Sequence, residues 1–102
     1  MRGLEFDAGN RRWLLRFDFN ALCNVEIALN KSFFAAVEDM QQGGSVIALR
    51  ALFRAGLGNK VTAEEAGVLV DELGIARVTA MLSQGLALAF PPKTEEDGDA
   101  GN

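Results

Sequence analysis

An α+β fold that is mainly α, with an N-terminal β-hairpin packed on a bundle of about five short helices, is what this sequence predicts. Residues 4–17 carry apolar side chains at alternate positions on either side of Gly9-Asn10, the two-residue rhythm of half-buried strands around a tight turn. From Phe19 onward the apolar residues recur at three- and four-residue intervals, the rhythm of one helix face. Asp18, Ser32, Ser45 and Thr62 stand where helical stretches begin, and Gly, Asn or Pro where they end, as caps and stops do.

The hairpin's register follows from its turn. With Gly9-Asn10 as the two central residues, Phe6 falls opposite Trp13 and Leu4 opposite Leu15 on one face, while Asp7 falls opposite Arg12 on the other. A lone two-stranded ribbon is marginal in water, so its apolar face is expected to lie on helices.

Asp18 caps a first helix that Asn30-Lys31 ends, with Phe19, Leu22, Cys23 and Leu29 as its apolar arc. Ser32 caps a second, carrying Phe33, Val37 and Met40 and stopped by Gln41-Gln42-Gly43-Gly44. Ser45 opens a third, with Val46, Leu49, Phe53 and Leu57 in one stripe and its end near Gly56-Leu57-Gly58-Asn59. Thr62-Ala63-Glu64-Glu65 reads as a capping box before Ala66, Leu69, Val70 and Leu73, and Gly74 closes that helix. The last helix runs from about Ile75 to Phe90 on Ile75, Val78, Leu82, Leu86 and Ala89, until Pro91-Pro92 halts it. Residues 1–90 are thus expected to form one globular domain. Residues 91–102, polar and Gly-rich, are expected to be a disordered acidic tail.

Composition narrows the function by exclusion. The net charge of −4 over 102 residues is uneven. Residues 1–90 hold nine Lys or Arg against ten Asp or Glu, so three of the four negative charges belong to the tail. Such a body offers no basic field for nucleic acid and no basic stripe for a membrane surface. No apolar run approaches the roughly 18 residues that span a bilayer, and no leader-like segment opens the chain. Cys23 is the only cysteine, as suits a small apolar residue in a reducing compartment. A cytoplasmic protein is expected.

Enzymatic chemistry finds little material. There is no histidine or tyrosine, no Gly-rich phosphate loop and no metal-ligand spacing. Glu64-Glu65 and Asp71-Glu72 are carboxylate pairs, but each sits where a helix shows a solvated face. No catalytic residue, cofactor or metal is therefore assigned. Glu26 falls within the first helix's apolar arc, so its carboxylate should approach the core and need a partner. A structural ion pair with Arg50 is the expected one, or else a cap on a neighbouring helix's amides. Residues 66–85 imitate a helix-turn-helix, but Ala76 stands where a capping Ser or Thr is usual, and two packed helices are the plainer reading. Met81 and Leu88 lie seven residues apart beside the last helix's core stripe. They are candidate partner-binding residues, with Leu14 and Phe34 as further ones.

The layout Leu4-Glu5-Phe6, Gly9-Asn10, Trp13-Leu14-Leu15-Arg16-Phe17, then Phe19-Asn20-Ala21-Leu22 and Glu26, followed by Gly44-Ser45 and Leu49-Arg50-Ala51-Leu52-Phe53-Arg54-Ala55-Gly56-Leu57, resembles a family of short phage-type tail proteins from bacterial gene transfer agents and prophages. The resemblance spans about residues 3–90. It implies a tail assembly chaperone, a small protein of the bacterial host cytoplasm that coats the tape-measure protein and is shed as tail tube protein polymerises around it. The implied partners are the tape-measure protein and the tail tube protein, with neither nucleic acid nor membrane, and weak self-association remains open. A structural, tube-associated tail protein is the nearer alternative and a helix-turn-helix DNA-binding regulator the more distant one.

Overall fold

The computed structural model describes residues 3–90, so the acidic segment 91–102 and its expected disorder lie outside the described residues. The fold is α+β and mainly α. Strands β1 (Leu4–Ala8) and β2 (Arg11–Leu15) are followed by helices α1 (Phe19–Leu29), α2 (Phe33–Gln41), α3 (Val46–Gly56), α4 (Ala63–Leu73) and α5 (Ile75–Ala89).

The hairpin has the expected register, with Leu4 paired to Leu15, Phe6 to Trp13 and Asp7 to Arg12. Gly9 and Asn10 both take positive φ, 59° and 61°, the backbone of a type I′ turn whose twist matches the strands. Phe6, Ala8, Trp13 and Leu15 form the buried face. Trp13 satisfies its indole N–H by donating to the Ala8 carbonyl at 2.9 Å, and the Arg11 guanidinium lies 4.2 Å from the Trp13 ring centroid. On the wet face Arg12 meets Glu5 at 2.9 Å and Asp7 at 3.3 Å. The hydrogen bond that Arg12 donates to Glu5, followed by the negative charge of Asp7, raises the guanidinium pKa above its ordinary value.

The first four helices begin on their expected caps. Asp18 accepts from the Ala21 N–H at 2.9 Å, Ser32 from Ala35 at 3.1 Å and Ser45 from Ala48 at 3.1 Å. Thr62 and Glu65 exchange both bonds of a capping box, at 3.0 and 2.8 Å. Asn30, with φ 55°, ends α1. Gly74, with φ 97°, separates α4 from α5 alone, a conformation that favours glycine.

Helix α3 is the hub, touching α1, α2, α4, α5 and β2. Its Ala48, Leu49, Leu52 and Phe53 are buried. Phe53 meets Phe6 of the hairpin with ring centroids 5.9 Å apart, and Phe17 meets Phe33 of α2 at 6.0 Å. The Arg16 N–H donates to the Gly56 carbonyl at 2.8 Å, which ties the end of β2 to the end of α3.

Several helices are turned relative to the expected faces. In α1 the buried residues are Ala21 and Val25, whereas Phe19 is 76% exposed and Cys23 only half-buried. The short side chains of Ala21 and Val25 suit the close packing of this helix on its neighbours. Val46 and Ile75, expected in core stripes, stand out at the first turns of α3 and α5. In α5 the buried arc is Val78, Met81, Leu82 and Gly85. Gly85 turns it. A Cβ there would lie 3.3 Å from Leu15 Cδ2 and 3.4 Å from Phe17 Cε2, so the end of β2 covers that side and Met81 goes under with it.

Candidate protein-binding surface

Among the described residues the large exposed apolar side chains are Leu14, Phe19, Ile27, Phe34, Val46, Ile47, Val68, Ile75 and Phe90. Val46 and Ile47 occupy the first turn of α3, and with Ile75 at the start of α5 they rim a groove between α3 and α4. Leu49 and Val70 line its floor, Arg50 and Asp71 are its charged residues, and its volume is about 250 Å³. The Arg50 stem runs beside Gly67 of α4, where a Cβ would sit 3.7 Å from Arg50 Cδ, an ordinary contact.

Ile47 and Arg50 also line a second groove, of about 180 Å³, between α1 and α3. Its other walls come from Ala28 and Leu29 of α1 and from Arg54, Asn59 and Ala63. The two grooves share Ile47 and Arg50, which stand between them on the outer face of α3, and together they make a divided trough, apolar at its rim and carrying Arg50, Arg54 and Asp71. Arg54 is partly committed, donating from Nε to the Val61 carbonyl at 2.7 Å.

The residues singled out from the sequence do not gather here. Met81 is buried, 6% exposed, and is corrected from a surface contact to a core residue. Leu88 is half-buried. Leu14 lines a shallow groove with Arg16, Asp18 and Lys60. Phe34 lines another with Phe33 and Phe90, where its ring lies 5.7 Å from Phe90 and 5.4 Å from Phe33. Sequence reasoning placed Val46 and Ile75 in core stripes and did not single out Ile47. All three lie in the first turn of a helix, and their exposure follows from where the neighbouring elements end, which no spacing in the sequence carries.

The Glu26–Arg50 ion pair is also corrected. Among the described residues the ion pairs join Arg12 to Glu5 and Asp7, Arg16 to Asp18, and Lys31 to Asp39. Glu26 is exposed, at the edge of the buried arc of α1, and its Oε2 accepts from the Phe33 N–H at 2.8 Å. It therefore caps α2 from outside, satisfying a first-turn amide and placing negative charge at a helix N-terminus. That is the alternative the sequence allowed. Glu26→Ala should cost about 0.5–1.5 kcal/mol, and Arg50→Ala under about 1 kcal/mol. The double variant should be additive within about 0.5 kcal/mol in urea denaturation, where coupling above about 1 kcal/mol would restore the ion pair.

No helix among the described residues is long and apolar enough to cross a membrane. In comparisons with known proteins the chain matches no family model, no curated protein and no solved structure.

Proposed function

We propose that this protein is a phage-like tail assembly chaperone that binds helical segments of a tape-measure protein during tail morphogenesis. The observation that carries the reading is the trough over α3, where Val46, Ile47 and Ile75 stand more than half exposed around an open apolar groove. Side chains of this kind cost solubility unless a partner covers them. The resemblance of about residues 3–90 to gene-transfer-agent and prophage tail chaperones supplies the partner class. A tape-measure protein is long and helical, and coating it calls for weak, repeated, reversible contacts rather than one tight site. An apolar trough carrying Arg50 and Arg54 beside Asp71 fits an amphipathic helix anchored by apolar residues at i, i+3 or i+4.

The alternatives have less support. A tube wall is built from long strands, and the two strands here have five residues each. For DNA, the α4–α5 corner turns on Gly74 alone, and Arg77 is the one cation between Ala63 and Ala89, too little for phosphate contacts.

Co-expression tests the proposal. The wild type should keep tape-measure fragments from its own gene cluster soluble and co-purify with them. Val46→Asp with Ile47→Asp should abolish this while leaving the circular dichroism spectrum intact, because both side chains are 62% exposed. A wild type that solubilises no such fragment overturns the chaperone role. A folded double variant that works equally well overturns the trough as its surface.

A further inference from the structure

We infer that the α1 side of the divided trough is a carboxylate-binding site, formed by Arg50 and Arg54, which receives an acidic side chain of the bound helix and so fixes how that helix lies. The two arginines stand one helical turn apart on α3 and both line the groove of about 180 Å³ against α1. No carboxylate lines that groove, and among the described residues neither arginine takes part in an ion pair. Three other grooves hold an acid beside their cations: Asp71 with Arg50, Asp18 with Arg16 and Lys60, and Glu65 and Glu72 with Arg11.

The uncompensated charge calls for an anion. Like charges at i, i+4 on one helix face repel, and α3 contains no acid to offset them. Arg54 lies in the last turn, where the helix dipole favours a cation, but Arg50 lies a turn earlier, outside that end effect.

Geometry selects a carboxylate. Arg54 is half-buried and donates from Nε to the Val61 carbonyl at 2.7 Å, which holds one edge of the guanidinium against the protein. The other N–H groups sit on the two terminal nitrogens, and a planar fork held in this way matches the two oxygens of a carboxylate. Asn24 and Asn59 line the same groove, and their side-chain amides bring further N–H donors. The α4 side differs in kind. There Arg50 stands beside Asp71 over Leu49 and Val70, a setting for apolar anchors. A bound helix therefore turns its acid toward α1 and its apolar side chains toward α4. That this helix belongs to a tape-measure protein rests on the chaperone reading, whereas the carboxylate site does not.

Two experiments keep these apart. In the first, sodium acetate is titrated into the purified full chain and followed by nitrogen–proton correlation NMR. The Arg54 Nε–H signal and the Asn24 and Asn59 side-chain amide signals should shift saturably, with half-saturation at about 1–100 mM, and Arg50→Gln should weaken the response about threefold. A response no larger than that to sodium chloride of equal ionic strength overturns the site. A response to inorganic phosphate without one to acetate overturns its ligand. In the second, tape-measure fragments that co-purify with the wild type should bind Arg50→Glu about tenfold more weakly, with an unchanged circular dichroism spectrum. Neutralising the matching Asp or Glu of the fragment should weaken binding to the wild type but add little to Arg50→Gln. Fragments that bind Arg50→Glu as well as the wild type overturn the role of the site in recognition. If acetate binds and no fragment does, the chaperone reading falls and the carboxylate site stands.

Discussion

Phe53→Ala should remove about 3–5 kcal/mol, a large part of the roughly 5–15 kcal/mol that holds a domain of this size together. Phe53 is fully buried in α3, the helix on which the other four and β2 converge. Its ring meets Phe6 at 5.9 Å, so the substitution opens a cavity where the bundle holds the hairpin. A two-stranded ribbon has little stability of its own, and Trp13, the only tryptophan, is buried on that ribbon. Urea denaturation followed by Trp13 fluorescence should therefore show a much lower midpoint, with Phe53→Leu in between. A loss below about 1 kcal/mol would mean that the site collapses around the missing ring.

Elements and caps were legible because each depends on a few neighbouring residues. The alternation around Gly9-Asn10 permits one register, since a one-residue slip would turn Phe6, Trp13 and Leu15 out to water. Asp18, Ser32, Ser45 and the Thr62/Glu65 pair announced four helix starts through bonds made within three residues. Helix orientation was less legible. In α1 Phe19, Ala21, Leu22, Cys23, Val25, Ile27 and Leu29 surround the axis on nearly every side, so the 3.6-residue period does not choose a face. The choice came from small residues, Ala21 and Val25 here and Gly85 in α5, which let neighbours approach. A size-blind apolar stripe overlooks them.

The same difficulty governed the functional residues. Glu26 was correctly marked as a carboxylate in need of a partner, but the partner is a backbone N–H of the next helix. Capping from a preceding helix depends on how two helices meet, and no local spacing encodes it. Met81 was placed on the surface because it flanks the stripe of Val78 and Leu82, and the approach of Leu15 and Phe17 to Gly85 then turned that flank inward. Val46, Ile47 and Ile75 differ from core residues only in lying where neighbouring elements fall short of them. That is a property of the assembled bundle.

Gly56→Ala should destabilise the protein by about 1–3 kcal/mol, against its helical propensity. In an open helix interior the change would favour folding by about 1 kcal/mol. Here a Cβ would lie 2.5 Å from Leu15 Cδ1 and 3.1 Å from Phe17 Cζ. Leu15 has no exposed surface, and its other methyl, Cδ2, already lies 3.3 Å from where a Cβ on Gly85 would be. The side chain is wedged between two glycines and cannot swing away from one without meeting the other. Moving the backbone instead would stretch the 2.8 Å bond from the Arg16 N–H to the Gly56 carbonyl. Gly85→Ala meets looser contacts and gains propensity, so it should lie within about 1 kcal/mol of the wild type. Leu15→Ala alone should cost about 2–5 kcal/mol, but it removes the clashing methyl groups. Gly56→Ala made in that background should then cost less, with only the 3.1 Å approach to Phe17 Cζ left to relieve, a coupling of about 1 kcal/mol or more in a double-mutant cycle. If the two losses simply add, the wedge between α3 and α5 is not what holds the end of β2 in place.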